Sequence, residues 1–154
     1  MKKLLSVAIC LFFGIINISL CYSQSKPLAT NNLTIGILQG GGGLVGFDFE
    51  QLITDRIGLS FGVGVISYGV SAHYHIKPTV ESSSVALNYW HQGISDSHVQ
   101  SIIGPSYVFK FGKLFSAQIG FGAIVEKGQL FEEAYRNFES EPNTVFLYSF
   151  GVFF

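Results

Sequence analysis

The strongest constraint on this chain is a recurring period of two. Tyr148, Phe150, Val152 and Phe154 fall on one face of an extended segment, because successive side chains of a strand point to opposite sides. Ile57, Leu59, Phe61, Val63 and Val65 alternate with Gly58, Ser60, Gly62 and Gly64. Phe115, Ala117, Ile119, Phe121, Ala123 and Val125 alternate with Ser116, Gln118, Gly120 and Gly122. A helix would scatter each set around its circumference, so the chain reads as all-β.

Eight such segments recur between turn signals from Leu33 onward. They are 33–39, 44–53, 57–65, 70–76, 80–91, 98–111, 114–126 and 144–154. Residues 57–76 are about twice the ~9–11 residues of a membrane-crossing strand, so a break near Ser67-Tyr68-Gly69 is expected. It also gives an even strand count, as in single-chain bacterial barrels. Thr54-Asp55-Arg56, Lys77-Pro78-Thr79 and Gly112-Lys113 form one set of connections, all tight. Gly40–Gly43, Ser67–Gly69, Gln92–Ser97 and Lys127–Asn143 form the other set, which holds both long loops. Gly40–Gly43 is read as a tight hairpin, since glycine accepts positive φ. It has no following Lys-Ser/Thr and no strand-to-helix context, so it is not a phosphate loop.

Which face meets solvent is decided by charge. Only 12% of residues are charged, too few to coat a soluble barrel. The apolar face is therefore expected outward against lipid and the small, polar face inward. Eight strands enclose little more than side chains. Eighteen glycines, fifteen phenylalanines and four prolines suit strands and short turns. Tyr68, Tyr89, Trp90 and Tyr148 are expected at the outer membrane boundary, and Phe109, Phe111, Phe115 and Phe154 at the inner one.

The first residues support export. Lys2 and Lys3 precede an apolar run, Leu4–Leu20, and Cys21-Tyr22-Ser23 sets small residues where a signal peptidase inspects them. Residues 1–23 are expected to be a signal peptide cut between Ser23 and Gln24, residues 24–32 a polar leader, and 33–154 the barrel domain. An uncleaved anchor fits less well, because a polar stretch follows at once. Lipoprotein processing at Cys21 fits less well because Leu20 is large. Both cysteines fall in the signal, so the exported chain relies on burial and backbone pairing without disulfides. Seven Lys and Arg then face ten Asp and Glu, the wrong sign for nucleic acid.

The aromatic row Tyr148, Phe150, Val152 and Phe154 closely resembles the C-terminal signature of bacterial outer-membrane barrels. From 33 to 154 the chain resembles the small barrels of the OmpA/OmpX type. The resemblance implies an eight-stranded antiparallel up-and-down transmembrane β-barrel, inserted by the barrel-assembly machinery into an outer membrane. It would be a monomer in contact with lipid and lipopolysaccharide. Tyr148, Phe150, Val152 and Phe154 would serve as the assembly signal.

Alternation turns Asp48, Glu50, His73, His75 and Lys110 inward, with Asn88 and Gln118. Charges in so narrow a space must be paired, so Asp48 and Glu50 are expected to be answered by Lys110 and the histidines. A metal held by Asp48, Glu50, His73 and His75 is a sharper reading, but spacing alone does not carry it, and no metal or cofactor is assigned. The loop His91–His98 holds two serines, an aspartate and two histidines. Outer-membrane lipid A deacylases place the serine nucleophile two residues after a strand histidine. Here Gly93 follows His91 at that spacing and Gln100 follows His98, so no catalytic role is carried over. The loop from Glu126 to Pro142 interleaves acids with Phe131, Tyr135 and Phe138 and reads as a solvated surface loop. The expected function is a non-enzymatic surface barrel, serving envelope integrity, adhesion or binding. The alternatives are a lipid A-modifying hydrolase near His91–His98, a narrow pore and a small-ligand barrel.

Overall fold

The computed structural model describes residues 29–93, 97–137 and 141–154. The expected signal peptide with its Ser23–Gln24 cleavage point, and the loop residues Ser95, Asp96 and Phe138, lie outside them. Eight antiparallel strands close into a barrel in chain order: β1 Asn31–Ile37, β2 Val45–Leu52, β3 Ile57–Gly64, β4 Ser67–His75, β5 Ser84–Gln92, β6 Gln100–Phe111, β7 Phe115–Lys127 and β8 Thr144–Phe153. The seam pairs β1 with β8, from Thr34↔Phe153 to Ile37↔Phe150. Leu33 and Phe154 extend it by exchanging both backbone hydrogen bonds, at 3.2 and 2.9 Å. Closure leaves no unpaired strand edge.

The faces divide as the alternation requires. Phe47 and Phe49 on β2, Leu59 and Phe61 on β3, Ile119 and Phe121 on β7, and Tyr148 and Phe150 on β8 are exposed. Asn32, Thr34, Ser84, Asn88, Ser106, Ser116 and Ser149 are buried. Asn88 is the centre of a lumen network: Nδ2 donates to Gly104 O (3.0 Å) and Ser106 Oγ (2.8 Å). Ser71 Oγ and Gln118 Nε2 both donate to its Oδ1 at 2.9 Å. Ser149 Oγ donates in turn to Gln118 Oε1 (3.2 Å). The chain of bonds ties β4 through β8 across the lumen, so these buried polar groups are satisfied instead of stranded.

Several expected boundaries move. β1 begins at Asn31, two residues early, because Asn31 and Asn32 already pair with Gln51 and Glu50. The break in 57–76 falls at Val65-Ile66, not Ser67–Gly69. Ile66 takes φ 55° there, unusual for a β-branched residue, while its carbonyl accepts from Gly93 N at 2.7 Å. Trp90 is buried, not a boundary residue, because it shares the inward face with Asn88. It packs on Ile102 and Leu147, a small apolar layer inside the barrel.

Two connections differ more. Gly40–Gly43 is not a plain hairpin tip. Residues Gln39–Gly42 fold into the mouth at the β1–β2 end of the barrel, with Gly40 and Gly41 left-handed at φ 66° and 80°, and pack against β2, β3, β4, β5 and β8. A Cβ on Gly41 would lie 2.1 Å from Tyr68 O, so the entry fits only bare backbone. At the other end, Val80–Ser83 is not the start of β5. Ser82 Oγ bonds Lys77 N and O, each at 3.1 Å, which folds residues 76–83 into a compact loop instead of a tight turn. Val80 is fully buried under this opposite mouth, its N–H donating to Ala29 O at 3.1 Å.

Candidate functional site

Glu50 on β2 is the centre of the charged lumen. Its Oε1 lies 2.6 Å from His75 Nε2 and its Oε2 accepts from Lys110 Nζ at 3.0 Å. His73 Nδ1 stands 3.7 Å from the same carboxylate. His75 Nδ1 faces the Ser82 carbonyl at 3.1 Å. Ser82 Oγ lies 3.4 Å from the same nitrogen, so both ring nitrogens of His75 are engaged. Lys110 Nζ also donates to the Val80 carbonyl. The ion cluster therefore bolts the 76–83 loop across the mouth that it covers. Strand parity places each of these residues: Glu50, His73, His75 and Lys110 sit at inward positions of β2, β4 and β6.

Asp48 does not join them. Its Oδ2 accepts from Gly40 N at 3.0 Å, so a backbone N–H of the inserted turn answers it, not a cation. Ser67 Oγ donates to Gly40 O at 2.6 Å and holds the other side of that turn. Between the two closures lies a polar cavity of about 40 Å³, room for a few waters. The lumen holds no ligand-sized chamber among the described residues.

A second cluster was not legible as a unit in the sequence. Ser101 Oγ, on the outward face of β6, receives His91 Nδ1 (2.9 Å) and His98 Nε2 (3.3 Å) and donates to Glu126 Oε2 (2.9 Å). Register brings them together: Ser101 pairs with His91 of β5 and Glu126 of β7. Between Ser101 and Ile102 the β6–β7 register shifts, so Val125 is an extra residue and Glu126 is turned to the outward side. Glu126, the last residue expected in the seventh strand, lies in β7, which runs one residue further to Lys127. Phe131, expected in the solvated loop, is buried, its ring 4.8 Å from that of Tyr135 and tilted 44° to it. The His–Ser spacing along the chain carries no hint of the cluster, because the partners come from neighbouring strands.

This grouping does not have the order of a catalytic triad. Ser101 gives its hydrogen to the carboxylate, so neither imidazole takes it, and the residue is fully buried. A triad chains hydroxyl to imidazole to carboxylate.

The fold defines the class: a closed eight-stranded antiparallel up-and-down barrel, polar inside and apolar outside. Comparison with protein-family models, curated proteins and solved structures returns no match.

Proposed function

We propose that the protein is a sealed, non-enzymatic outer-membrane barrel of the OmpA/OmpX type, acting at the cell surface through its outer loops and rim. The observation that carries this reading is the exposed apolar exterior. Large hydrophobic side chains are exposed on all eight strands, among them Ile35, Phe47, Phe61, Val70, Leu87, Phe109, Phe121 and Phe150. Soluble monomers rarely expose patches beyond a few hundred Å², and lipid is the solvent that favours this exterior. Closed barrels satisfy every backbone group in lipid. Both mouths are obstructed, by Gln39–Gly42 and by the 76–83 loop, which weighs against a diffusion pore. Ser101's buried hub geometry weighs against a hydrolase at His91–His98.

The test is gel mobility of the membrane fraction, boiled against unboiled, together with labelling of an Arg136→Cys variant on intact cells. The expected result is a heat-dependent shift and labelling from outside. A protein recovered soluble from the periplasm without a shift would overturn the reading.

A further inference from the structure

We propose that His91, His98 and Glu126 form a binding site for a divalent transition-metal ion on the outer rim of the barrel. The inference goes beyond the membrane reading and does not depend on it. One ligand atom from each residue lies within 4.8 Å of the other two. All three residues also converge on one point, the Ser101 hydroxyl, at 2.9, 3.3 and 2.9 Å. The Ser101 oxygen occupies that point, so the metal sits beside it, with the three side chains turning off the hydroxyl to make bonds of about 2.0–2.2 Å.

The surroundings hold the ligands in place. His91 is sandwiched between Tyr68 (4.6 Å) and His98 (4.2 Å), the two imidazoles lying within 13° of parallel. His98 precedes β6, yet its segment is clamped. Gly128 N donates to Val99 O at 2.8 Å and Leu130 N to His98 O at 3.0 Å. A Cβ at Gly128 would lie 2.1 Å from His98 O, so a glycine is needed for that approach. The bulge at Val125 supplies the third ligand. Lys127, next along β7, pairs in register with Gln100 and forms an ion pair with Glu141, so its charge is directed away from Glu126. Ser101 is left to orient the carboxylate, as outer-shell hydroxyls do.

Two imidazoles and one carboxylate favour zinc, nickel or copper over magnesium or calcium. Three protein ligands leave a fourth position for water.

The experiment is calorimetric titration of the refolded full barrel in detergent with Zn²⁺ near neutral pH, folding being checked by heat-dependent gel mobility. One Zn²⁺ per chain is expected, weakening in mildly acidic buffer as protons compete for the ligands. His91→Ala, His98→Ala and Glu126→Gln should each weaken binding by about tenfold or more. His73→Asn, in the lumen, should leave it unchanged. Zn²⁺ should also protect His91 and His98 of the unaltered protein from diethyl pyrocarbonate, which keeps the test open if a variant fails to fold. Titration indistinguishable from the His91→Ala/His98→Ala double variant overturns the proposal. So does wild-type affinity in Glu126→Gln, or histidine modification indifferent to Zn²⁺.

Discussion

At the scale of single residues, the lumen is organised by what a buried charge demands. Glu50 and Lys110 are almost wholly buried, their side chains 5% and 2% exposed. Breaking a buried pair leaves an uncompensated charge, commonly costing about 3–5 kcal/mol, whereas replacing both partners can be close to neutral. Lys110→Met should therefore destabilise the barrel in lipid vesicles by about that free energy, read as a lower urea midpoint. Glu50→Gln with Lys110→Met should recover much of it. Equal midpoints for Lys110→Met and the parent would mean that the cluster contributes nothing. Parity along a strand was enough to read which residues face inward here. The choice of partner was not readable: Asp48 and Glu50 are two apart on one strand, yet one meets a glycine N–H and the other a lysine. That difference is decided by where a distant loop folds.

At the scale of elements, alternation located all eight strands to within a few residues, because each must turn one face to lipid or its equivalent and the other to a polar interior. The two mouth-closing segments were misread for a common reason. Gly40–Gly43 and Val80–Ser83 follow local turn and strand patterns, but their conformation is fixed by bonds to other elements: the Asp48 and Ser67 side chains for the first, the Ala29 carbonyl and the Lys110 side chain for the second. The rim cluster escaped for the same reason, since Ser101, His91 and Glu126 meet only through register and a bulge. The glycine turn gives a direct prediction. Gly41→Val sets a β-branched residue at φ 80° against the Tyr68 carbonyl, a strained conformation in a space with no room. The turn should be expelled from the mouth while the ring stays closed. Planar-bilayer recordings should then show conductance bursts that the parent lacks. Silent recordings from a folded, inserted Gly41→Val barrel would mean that the turn is not the outer closure.

At the scale of the whole molecule, the inside-out arrangement separates two environments by experiment. Phe61 sits mid-strand on the exposed face of β3. In a bilayer, Phe61→Arg should destabilise the barrel by about 2–4 kcal/mol if Phe61 lies near the midplane, and less toward either interface. In water the same change would remove an exposed aromatic and raise solubility. Refolding titrations in vesicles and in detergent-free buffer tell the two apart. A variant as stable as the parent in lipid, and soluble without it, would sink the membrane assignment.

The inserted glycine turn is also expected to set the timing of folding. Residues 39–42 are made early in the chain, yet their resting place is walled by β4, β5 and β8 as well as by their own neighbours. Contacts between this turn and β8 span most of the chain, and distant contacts form late because loop closure must come first. The turn therefore cannot settle until the final strand arrives, and the β1–β8 seam cannot shut without enclosing it. Filling and sealing become one kinetic event, so a stopped-flow signal from Trp90, beside Gly42, should rise in step with closure of the ring.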